Sequence, residues 1–515
     1  MTVVGTLLKN AVKRTNNHLN KKRVANSILQ ENTLRKLLKK ASYTEFGRTY
    51  EFSKIITSPD LAHAFRKFVP VYDYEKIYEQ WWNKLLKGED NICWPGKVKY
   101  FGLTSGTSND SSKRVPVTRD MIYSIRKTGI RQLVVLGDLE LPANFFKKSV
   151  LMLGGSTDLI KMDDYFEGDL SGILAGNLPS WFNTFYKPGI PIARERDWNA
   201  KLEKIVREAR KWDIGVMAGV PAWIQIMMEK IIDYYGLNNI HDIWPNFRVY
   251  SHGGVSFAPY RKGFEKLLGK EVYFLETYLA SEGFLAYQRK IDSNMQLVLD
   301  NGIFFEFVPF NEKNFTADGR LKEKPETLLL SEIEECQDYA LLISTCAGAW
   351  RYLIGDTIRF TNAENCEITI TGRTKHFLSL CGEHLSLDNM TKAIEMVANE
   401  LNIDIKEFTV AGIPYKNLFA HKWYIGINDS EIGNQVIQEK LDNALKKIND
   451  DYRTERMAAL KEVIVETLPV EIFYEYLKYK GKEGGQHKFP RVINGQYKEW
   501  ENFIKKYHPE NVVNK

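Results

Sequence analysis

Short apolar segments that alternate with helical segments constrain the fold of this chain more than any other feature. Residues 149–155 (SVLMLGG) and 214–221 (IGVMAGVP) are apolar throughout and end in small residues. Such runs are typical of strands that are buried on both faces of a sheet. Helical patterns over 120–137 and 202–212 precede these two strands. The alternation predicts an α/β fold with a largely parallel sheet.

The length of the chain predicts more than one domain. The chain has 515 residues, whereas single hydrophobic cores stop growing at about 250–300 residues. Strands at 408–414, 421–427 and 470–477, with a helix that carries Ile437 and Leu441 on one face, predict a separate C-terminal unit. This unit would hold about 130 residues, which is an ordinary domain size.

The composition narrows the class of protein. The chain is 44% hydrophobic and 26% charged, which is typical of a globular protein. No apolar run approaches the roughly 18 residues that a membrane span needs, and no signal peptide follows Met1. The five cysteines lack C-x-x-C spacing, which argues against a disulfide framework and against a zinc site. We therefore expect a cytoplasmic protein without a stable membrane span.

The net charge of +6 comes mainly from the N-terminal segment. Residues 1–40 hold ten basic residues and one acidic residue, so the rest of the chain is close to neutral and is not predicted to bind nucleic acid. The segment could be a basic amphipathic arm for a membrane surface, or an organellar presequence. We favour a pair of helices packed on the main domain, because Leu34, Leu37, Leu38 and Ala41 share a helical face.

A loop rich in glycine and hydroxyl groups lies within residues 100–118 (YFGLTSGTSNDSSKRVPVT). A tight turn exposes backbone N–H groups to a phosphate, hydroxyls donate further hydrogen bonds, and a lysine balances the charge. The candidate phosphate-binding residues are Thr104, Ser105, Gly106, Thr107, Ser108 and Lys113. The alternative is an ordinary solvated turn. No glycine directly precedes Lys113, so the loop is not a nucleoside triphosphatase P-loop, and G-x-G-x-x-G and G-x-S-x-G motifs are absent.

A second candidate site lies in residues 271–288 (EVYFLETYLASEGFLAYQ). Ligands collect at turns beyond the carboxyl ends of strands in open α/β sheets. Here Tyr278 offers a flat face for a purine, Ser281 a hydroxyl and Glu282 a hard carboxylate suited to Mg²⁺. The alternative is a surface turn with an incidental acid. His252, after a neighbouring strand, is interpreted as a capping or core histidine without a catalytic role.

A third candidate site lies in residues 341–360, which read as two strands around a glycine turn. Asp356 follows Gly355 in what is predicted to be a turn. An ionised carboxylate has only acceptors and can take both hydroxyls of a ribose, although a simple hairpin aspartate is the competing interpretation. Further on, Gly372 and Arg373 end a strand, so the segment after them is predicted to be a linker that swivels.

Lys488 lies in a glycine-rich segment near the C terminus (GKEGGQHKFPRV). A mobile cation on a separate small domain is suited to neutralising a leaving pyrophosphate. A solvated surface lysine is the alternative.

Four motifs in this order resemble the Gretchen Hagen acyl amido synthetases, the auxin-responsive branch of the adenylate-forming superfamily that also includes acyl-CoA synthetases and luciferases. TEFGRTYEF resembles T-x-F-G-x-x-Y-x-F, the loop resembles S-S-G-T-S/T with its lysine and P-V-T, TYLASEG resembles T-Y-x-S-S-E, and TCAGAWRYLIGD resembles Y-A-G-x-Y-R-Y-R-V-G-D. The resemblance implies an α/β adenylate-forming fold with mixed sheets. It implies a large N-terminal domain at 1–372, a hinge at 373–378 and a small mobile α+β domain at 379–515.

The resemblance also implies a site for ATP and Mg²⁺. Its implied contacts are Ser105, Gly106 and Thr107 with the phosphates, Tyr278 with the adenine, Ser281 with the α-phosphate, Glu282 with Mg²⁺ and Asp356 with the ribose. The nucleotide site further includes Thr104, Ser108, Lys113, Thr277, Ala280 and Arg373. Glu282 and Lys488, the latter in a segment that resembles Q-Y-K-x-P-R, are the implied catalytic residues.

The implied reaction has two steps. A small carboxylic acid attacks ATP to give an acyl-adenylate and pyrophosphate, and an amine, such as that of an amino acid, then displaces AMP to form an amide. Coenzyme A as the acceptor remains an alternative. So does a catalytically silent nucleotide-binding protein, which departures from the family motifs at Leu353 and His384 would favour. The sequence identifies neither the acid nor the acceptor, nor the oligomeric state, although Trp181, Phe182 and Trp223 are candidates to line the acyl pocket.

Overall fold

The computed structural model describes residues 2–19, 24–104, 113–255, 257–258, 260–316, 319–374, 377–427, 432–480 and 489–507. These residues form two compact units, and the first of them ends at Thr374. The predicted hinge at 373–378 includes residues 375 and 376, which lie outside the described residues. No described helix is long and apolar enough to span a membrane.

Most helices of the first unit are short. They are α1 (Thr2–Leu19), α2 (Asn26–Ala41), α3 (Glu45–Thr49), α4 (Phe52–Ile56), α5 (Leu61–Phe68), α6 (Tyr74–Ile77), α7 (Asn83–Leu86), α8 (Arg119–Val134), α9 (Leu170–Gly176), α10 (Ile190–Ala193), α11 (Trp198–Glu208), α12 (Pro221–Tyr235) and α13 (Arg261–Leu267). A π-helical turn, Tyr78–Trp82, joins α6 to α7. The long helix α8 begins where the Thr118 hydroxyl accepts a hydrogen bond from the Met121 N–H.

Within the basic N-terminal segment, Thr2–Leu19 and Asn26–Ala41 are helical, and α2 packs on the first unit as its apolar face predicts. Leu34, Leu37, Leu38 and Ala41 are all buried. Gln30 also anchors α2, because its Nε2 donates to the carbonyl oxygens of two core residues at 2.7 and 3.0 Å. The segment therefore contributes to the core of the first unit.

An eleven-stranded sheet forms the centre of the first unit. In spatial order its strands are β12 (Ile303–Pro309), β13 (Asp338–Thr345), β14 (Tyr352–Asn362), β15 (Glu367–Arg373), β11 (Met295–Leu297), β10 (Gly283–Gln288), β9 (Tyr273–Ala280), β8 (Val249–Gly253), β7 (Ile214–Gly219), β3 (Ser149–Met152) and β6 (Tyr186–Lys187). The pairs from β6 to β9 are parallel, whereas every pair from β9 to β12 is antiparallel.

The prediction of a largely parallel sheet was therefore wrong for about half of the sheet. The direction changes at the β9–β10 hairpin, where Ala280 pairs with Gly283. Only two residues connect these strands, and a parallel crossover needs a dozen or more. The sheet therefore consists of a parallel part and an antiparallel part that meet at β9. A mixed sheet of this kind is what the family resemblance implied.

A second, four-stranded sheet of the first unit carries the ends of the candidate phosphate loop. Its spatial order is β2 (Lys113–Val117), β1 (Tyr100–Thr104), β5 (Phe166–Gly168) and β4 (Ile160–Lys161). Strands β1 and β2 are antiparallel, and Thr104 is the register partner of Lys113. The eight residues between them, 105–112, lie outside the described residues.

The second unit contains a three-stranded sheet and five helices among its described residues. Its strands are β18 (Glu407–Tyr415), β19 (Leu418–Gly426) and β20 (Leu460–Leu468), with the small pair β16 (Phe377–Leu378) and β17 (Leu385–Ser386). Its helices are α14 (Leu387–Leu401), α15 (Asn434–Ile448), α16 (Asp450–Met457), α17 (Val470–Tyr479) and α18 (Tyr497–Tyr507).

The strand predicted at 470–477 was wrong, because this segment is helix α17. Its β-branched and aromatic residues suggested a strand. In the structure, however, Val470, Phe473 and Leu477 are buried at the three- and four-residue spacing of a helical face. The third strand of the sheet is β20, which lies immediately before this helix.

Candidate functional site

Tyr74 supports the second end of the candidate phosphate loop. The Arg114 N–H donates to Tyr74 Oη at 2.9 Å, and the Lys113 ammonium lies 5.0 Å from the centre of the Tyr74 ring. The Arg114 guanidinium in turn pairs with the buried Glu167 carboxylate on β5, Nε to Oε2 at 2.7 Å. The backbone of Lys113 therefore lies on a strand that the two contacts of Arg114 hold in place. The predicted phosphate-binding residues Ser105, Gly106, Thr107 and Ser108 lie outside the described residues.

Ser281 and Glu282 form the two-residue turn of the β9–β10 hairpin. The flanking pair is Ala280 and Gly283. The turn approaches strand β1, because a Cβ added to Gly102 would lie 3.8 Å from the Ser281 hydroxyl oxygen. The structure thus places the predicted α-phosphate ligand beside the sheet that carries Thr104 and Lys113.

Thr277 joins β9 to β8. Its hydroxyl donates to the His252 carbonyl oxygen at 2.8 Å. The contact is close, since a Cβ added to Gly253 would lie 2.4 Å from Thr277 Oγ1. Thr277 therefore holds strands β8 and β9 together just before the turn at Ser281 and Glu282.

Asp356 lies inside strand β14, so the prediction that it occupies a turn was wrong. The glycine at 355 suggested a turn, and it has φ +93° in the structure, but the strand continues through it. Both carboxylate oxygens of Asp356 have protein partners. Tyr278 Oη donates to Oδ2 at 2.5 Å, and Arg373 Nε forms an ion pair with Oδ1 at 2.9 Å.

The structure therefore brings three predicted site residues together where β9, β14 and β15 approach one another. Asp356 and Arg373 are register partners in neighbouring strands. Tyr278 reaches Asp356 from the other side, and its side chain is buried. The sequence analysis predicted only that the ring of Tyr278 offers a flat face for a purine, and it predicted no role for the hydroxyl. The role of its hydroxyl has no signal in the sequence, because Tyr278 and Asp356 are 78 positions apart.

Burial raises the pKa of the Glu282 carboxyl to about 7, and the negative charge of Asp356 adds to this rise. Lys113 and Arg373 act in the opposite direction, because their positive charges favour the ionised form. Burial and the neighbouring Asp356 raise the pKa of Tyr278 well above its ordinary range, so its hydroxyl stays a donor. The site combines the buried carboxylates of Glu282 and Asp356 with two more accessible cations, Lys113 and Arg373.

The residues present fit a divalent cation that is shared with a bound phosphate. Among the described residues, no group of three or more His, Cys, Asp or Glu side chains could hold a metal ion by itself. Mg²⁺ is typically held by one or two carboxylates together with substrate phosphates. Glu282 supplies one such carboxylate, and a cation beside it would offset the cost of its burial.

Other predicted residues are not joined to this cluster. Ala280 has no polar side chain and only flanks the turn. Lys488 lies outside the described residues. Trp181 is 62% exposed and packs edge-on against Phe182, whereas Trp223 packs against Trp198. These three acyl-pocket candidates therefore remain a prediction.

Sequence reasoning did not find the buried pair of Arg351 and Glu306. Arg351 Nη2 donates to Glu306 Oε1 at 2.7 Å, and both side chains are at most 5% exposed. Arg351 also donates to the carbonyl oxygens of Arg66 and Val69 at 3.0 and 2.8 Å. It connects the start of β14, and so the strand of Asp356, to the helical segment around α5.

Three family models match the chain. The GH3 family N-terminal domain matches residues 17–157, the GH3 family central domain matches 296–373, and the GH3 family C-terminal domain matches 388–496. Together they cover well over half of the sequence.

Curated plant proteins are similar at low identity. Jasmonoyl–L-amino acid synthetase JAR6 of Nicotiana attenuata is 22% identical over 451 residues, which cover 74% of this chain and 75% of that protein. JAR4, a jasmonoyl–L-amino acid synthetase of the same species, is 26% identical over 190 residues, covering 35% of this chain and 32% of JAR4. Indole-3-acetic acid-amido synthetase GH3.3 of Arabidopsis thaliana is 24% identical over 212 residues, covering 38% and 34%. The chain thus spans about a third of the length of the last two.

Solved structures are similar over almost the whole chain. AtGH3.15 acyl acid amido synthetase, in complex with 2,4-DB, has a TM-score of 0.58 at 15% identity and 96% coverage of both chains. A 2-hydroxyisobutyryl-CoA ligase, in complex with 2-HIB-AMP and CoA in the thioesterification state, has a TM-score of 0.57 at 12% identity and 92% coverage of both chains. These similarities confirm the predicted adenylate-forming fold.

Proposed function

Because the chain belongs to the GH3 family of acyl acid amido synthetases, which are ligases of the adenylate-forming superfamily, we propose that it joins a small carboxylic acid to an amine at the expense of ATP. In the first step the acid attacks the α-phosphate of ATP and pyrophosphate leaves. In the second step an amine, such as that of an amino acid, displaces AMP and forms an amide. We place this reaction in the cytoplasm.

The observation that carries the proposal is the cluster of Tyr278, Asp356, Arg373 and Glu282 where β9, β14 and β15 approach one another. Three of the four side chains, those of Tyr278, Asp356 and Glu282, are buried, whereas Arg373 is exposed. Buried titratable groups beside an opposite charge are typical of functional sites. The cluster lies at the turn beyond β9, next to the sheet that carries the candidate phosphate loop. This position suits a nucleotide whose phosphates reach toward the loop.

Asp356 is the proposed ribose ligand. A carboxylate offers about four lone pairs, and Tyr278 and Arg373 use only one on each oxygen. The remaining lone pairs can accept the two ribose hydroxyls while the protein contacts persist. Tyr278 and Arg373 thereby hold the carboxylate in one orientation, which lowers the entropic cost of binding.

Glu282 is the proposed ligand of Mg²⁺. When bound, the ion would neutralise charge on the phosphates of ATP. Glu282 must be ionised to hold it, and Lys113 and Arg373 favour that form. Ser281, beside Glu282 in the turn, is the proposed donor to the α-phosphate. Ser105, Gly106, Thr107 and Ser108 remain the proposed phosphate contacts, and Lys488 remains the proposed cation from the second unit.

Identification of the product tests this proposal. The purified protein, ATP, Mg²⁺ and a panel of aliphatic, aromatic and hydroxy acids would be incubated with either a mixture of L-amino acids or coenzyme A, and the products identified by mass spectrometry. We expect an amide that depends on ATP, on one acid and on an amino acid. A thioester formed only with coenzyme A would show that the adenylation is correct and the acceptor wrong. Binding of ATP without any product would contradict the proposal.

A further inference from the structure

Two parts of the proposed nucleotide site lie on different sheets. Lys113 begins β2 of the four-stranded sheet, whereas Asp356 lies in β14 of the eleven-stranded sheet. Hydrogen bonds between strands fix distances within each sheet, but they do not fix the distance from one sheet to the other. ATP carries its ribose and its phosphates in one molecule, so other contacts must set that distance before both parts can bind at once.

The segment just before α6 is joined to the eleven-stranded sheet. Tyr72 pairs with Tyr352, the first residue of β14, through backbone hydrogen bonds of 2.9 and 2.7 Å to the residues on either side of Tyr352. Asp73 then caps α6, which begins at Tyr74. The backbone of Tyr74 is therefore held within two residues of a direct bond to the strand that carries Asp356.

The side chain of Tyr74 reaches the four-stranded sheet. Its Oη accepts a hydrogen bond from the Arg114 N–H at 2.9 Å, and the centre of its ring lies 5.0 Å from the Lys113 ammonium. Strand β2 lies at the edge of this sheet, and the outward N–H groups of an edge strand have no partner strand. Tyr74 supplies a partner to one of them, and so it holds the backbone next to Lys113 as well as the ammonium group.

Aromatic packing limits the movement of Tyr74. The fully buried Trp82 packs against Tyr74 with 6.0 Å between ring centres and against Tyr352 with 5.4 Å. Tyr78 stacks on Tyr74 at 5.7 Å. Tyr78 and Trp82 are the first and last residues of the π-helical turn, a feature that is frequent at functional sites. Close-packed side chains have few alternative rotamers, so these rings form a rigid connection between β14 and Tyr74.

We propose that Tyr74 is a positioning residue for ATP, and that it sets the distance between the Lys113 ammonium and the ribose ligand Asp356. The inference rests on the proposed function, in which Lys113 belongs to the phosphate end of the nucleotide site. Tyr74 acts through Lys113 and does not itself contact ATP. It lowers the entropic cost of binding ribose and phosphates together, because Lys113 is already held in place when the phosphates arrive.

A double-variant cycle with Mg-ATP as the ligand tests this proposal. Tyr74→Phe keeps the ring and removes the hydroxyl that accepts the Arg114 N–H. We expect the Kd of Mg-ATP, measured by titration calorimetry without an acid substrate, to rise at least fivefold. In a chain that already carries Lys113→Met no ammonium is left to position, so adding Tyr74→Phe should change the Kd by less than twofold. The matched control is Tyr78→Phe, which removes a hydroxyl that bonds to no described residue and should leave the Kd within twofold of wild type.

Adenosine separates positioning of the phosphates from damage to the whole site. It carries the ribose without phosphates, so Tyr74→Phe should change its Kd, measured by competition with ATP, by less than twofold. An ATP Kd within twofold of wild type in Tyr74→Phe would overturn the proposal. So would an equal loss for ATP and adenosine, or the same fold-change with and without Lys113. Failure of the wild-type protein to bind ATP would instead mean that the proposed nucleotide site is wrong, and this inference with it.

Discussion

Tyr278 and Asp356, 78 positions apart in the sequence, are joined by a hydrogen bond of 2.5 Å from Tyr278 Oη to Asp356 Oδ2. The bond connects the hairpin that presents Ser281 and Glu282 to the strand that presents the proposed ribose ligand. The family-like motifs TYLASEG and TCAGAWRYLIGD are thus in direct contact in the folded chain.

Replacing Tyr278 by Phe tests this connection. The variant keeps the buried ring and removes only the hydroxyl, which leaves Asp356 with Arg373 as its remaining partner among the described residues. Hydrogen bonds to charged groups contribute about 1.5–3 kcal/mol. We therefore expect the kcat/KM for ATP in acid-dependent pyrophosphate exchange to fall roughly 10- to 100-fold. Tyr123→Phe, at an exposed tyrosine of α8, is the control, and equal rates in all three proteins would contradict the role given to Tyr278.

The raised pKa of Glu282 predicts a stability effect with a definite sign. The pKa is 4.5 ordinarily and about 7 in the folded protein. Between these values the folded state holds a proton that the unfolded chain has released, so this carboxyl destabilises the fold progressively as the pH rises through that window. Glu282→Gln removes the effect. Without metal, we expect Glu282→Gln to raise the free energy of unfolding at pH 8 by up to about 3 kcal/mol, and therefore to raise the unfolding temperature. At pH 4.5 we expect the substitution to leave the unfolding temperature unchanged. A variant that is less stable than wild type at pH 8 would show that Glu282 is not buried as a costly charge.

The pair of Arg351 and Glu306 predicts a large loss of stability when it is broken on one side. Removing one partner of a buried ion pair typically costs about 3–5 kcal/mol, because the other charge stays buried alone. We expect Arg351→Met to lower the unfolding temperature of the first unit markedly. Adding Glu306→Leu to the same chain should restore part of the loss, and scanning calorimetry measures both. A double variant less stable than Arg351→Met would contradict this explanation.

In the second unit, the buried Glu383 carboxylate predicts sensitivity to acid. It accepts hydrogen bonds from the Leu380 and Cys381 N–H groups at 2.9 Å and pairs with His421 Nε2 at 2.9 Å. Burial alone would raise its pKa, but His421 and the backbone N–H groups of Cys381 and Glu383 lower it to about 2. Its stabilising effect is thus complete above pH 4.5 and is lost as the pH falls toward 2. Glu383→Gln should lower stability at pH 7 and make it less dependent on pH between 4.5 and 2, as followed by circular dichroism. An unchanged acid transition would contradict this role.

The sequence predicts local features of the fold well and pairing of distant segments poorly. The face of α2 and the strands β7, β8 and β19 follow from periodicity within a dozen residues. The reversal of sheet direction after β9 depends on a two-residue connection that the pattern of apolar residues does not reveal. Helix α17 was predicted as a strand because its aromatic and β-branched residues suit both structures, and burial by the neighbouring sheet decides between them.

The candidate site shows the same division. Ser281 and Glu282 share one short motif and Asp356 lies in another, so the sequence alone could mark them as candidates. It could not identify the partners of Asp356, since Tyr278 and Arg373 reach it from other strands.

Acid-dependent exchange of labelled pyrophosphate into ATP tests the central claim most directly. It would be measured for the wild-type protein and for Glu282→Gln over a panel of aliphatic, aromatic and hydroxy acids with Mg²⁺. We predict exchange with at least one acid for the wild-type protein and none above background for the variant, although the variant remains folded. Exchange that persists in Glu282→Gln would contradict the role of Glu282, and failure of the wild-type protein to bind ATP at all would contradict the nucleotide site itself.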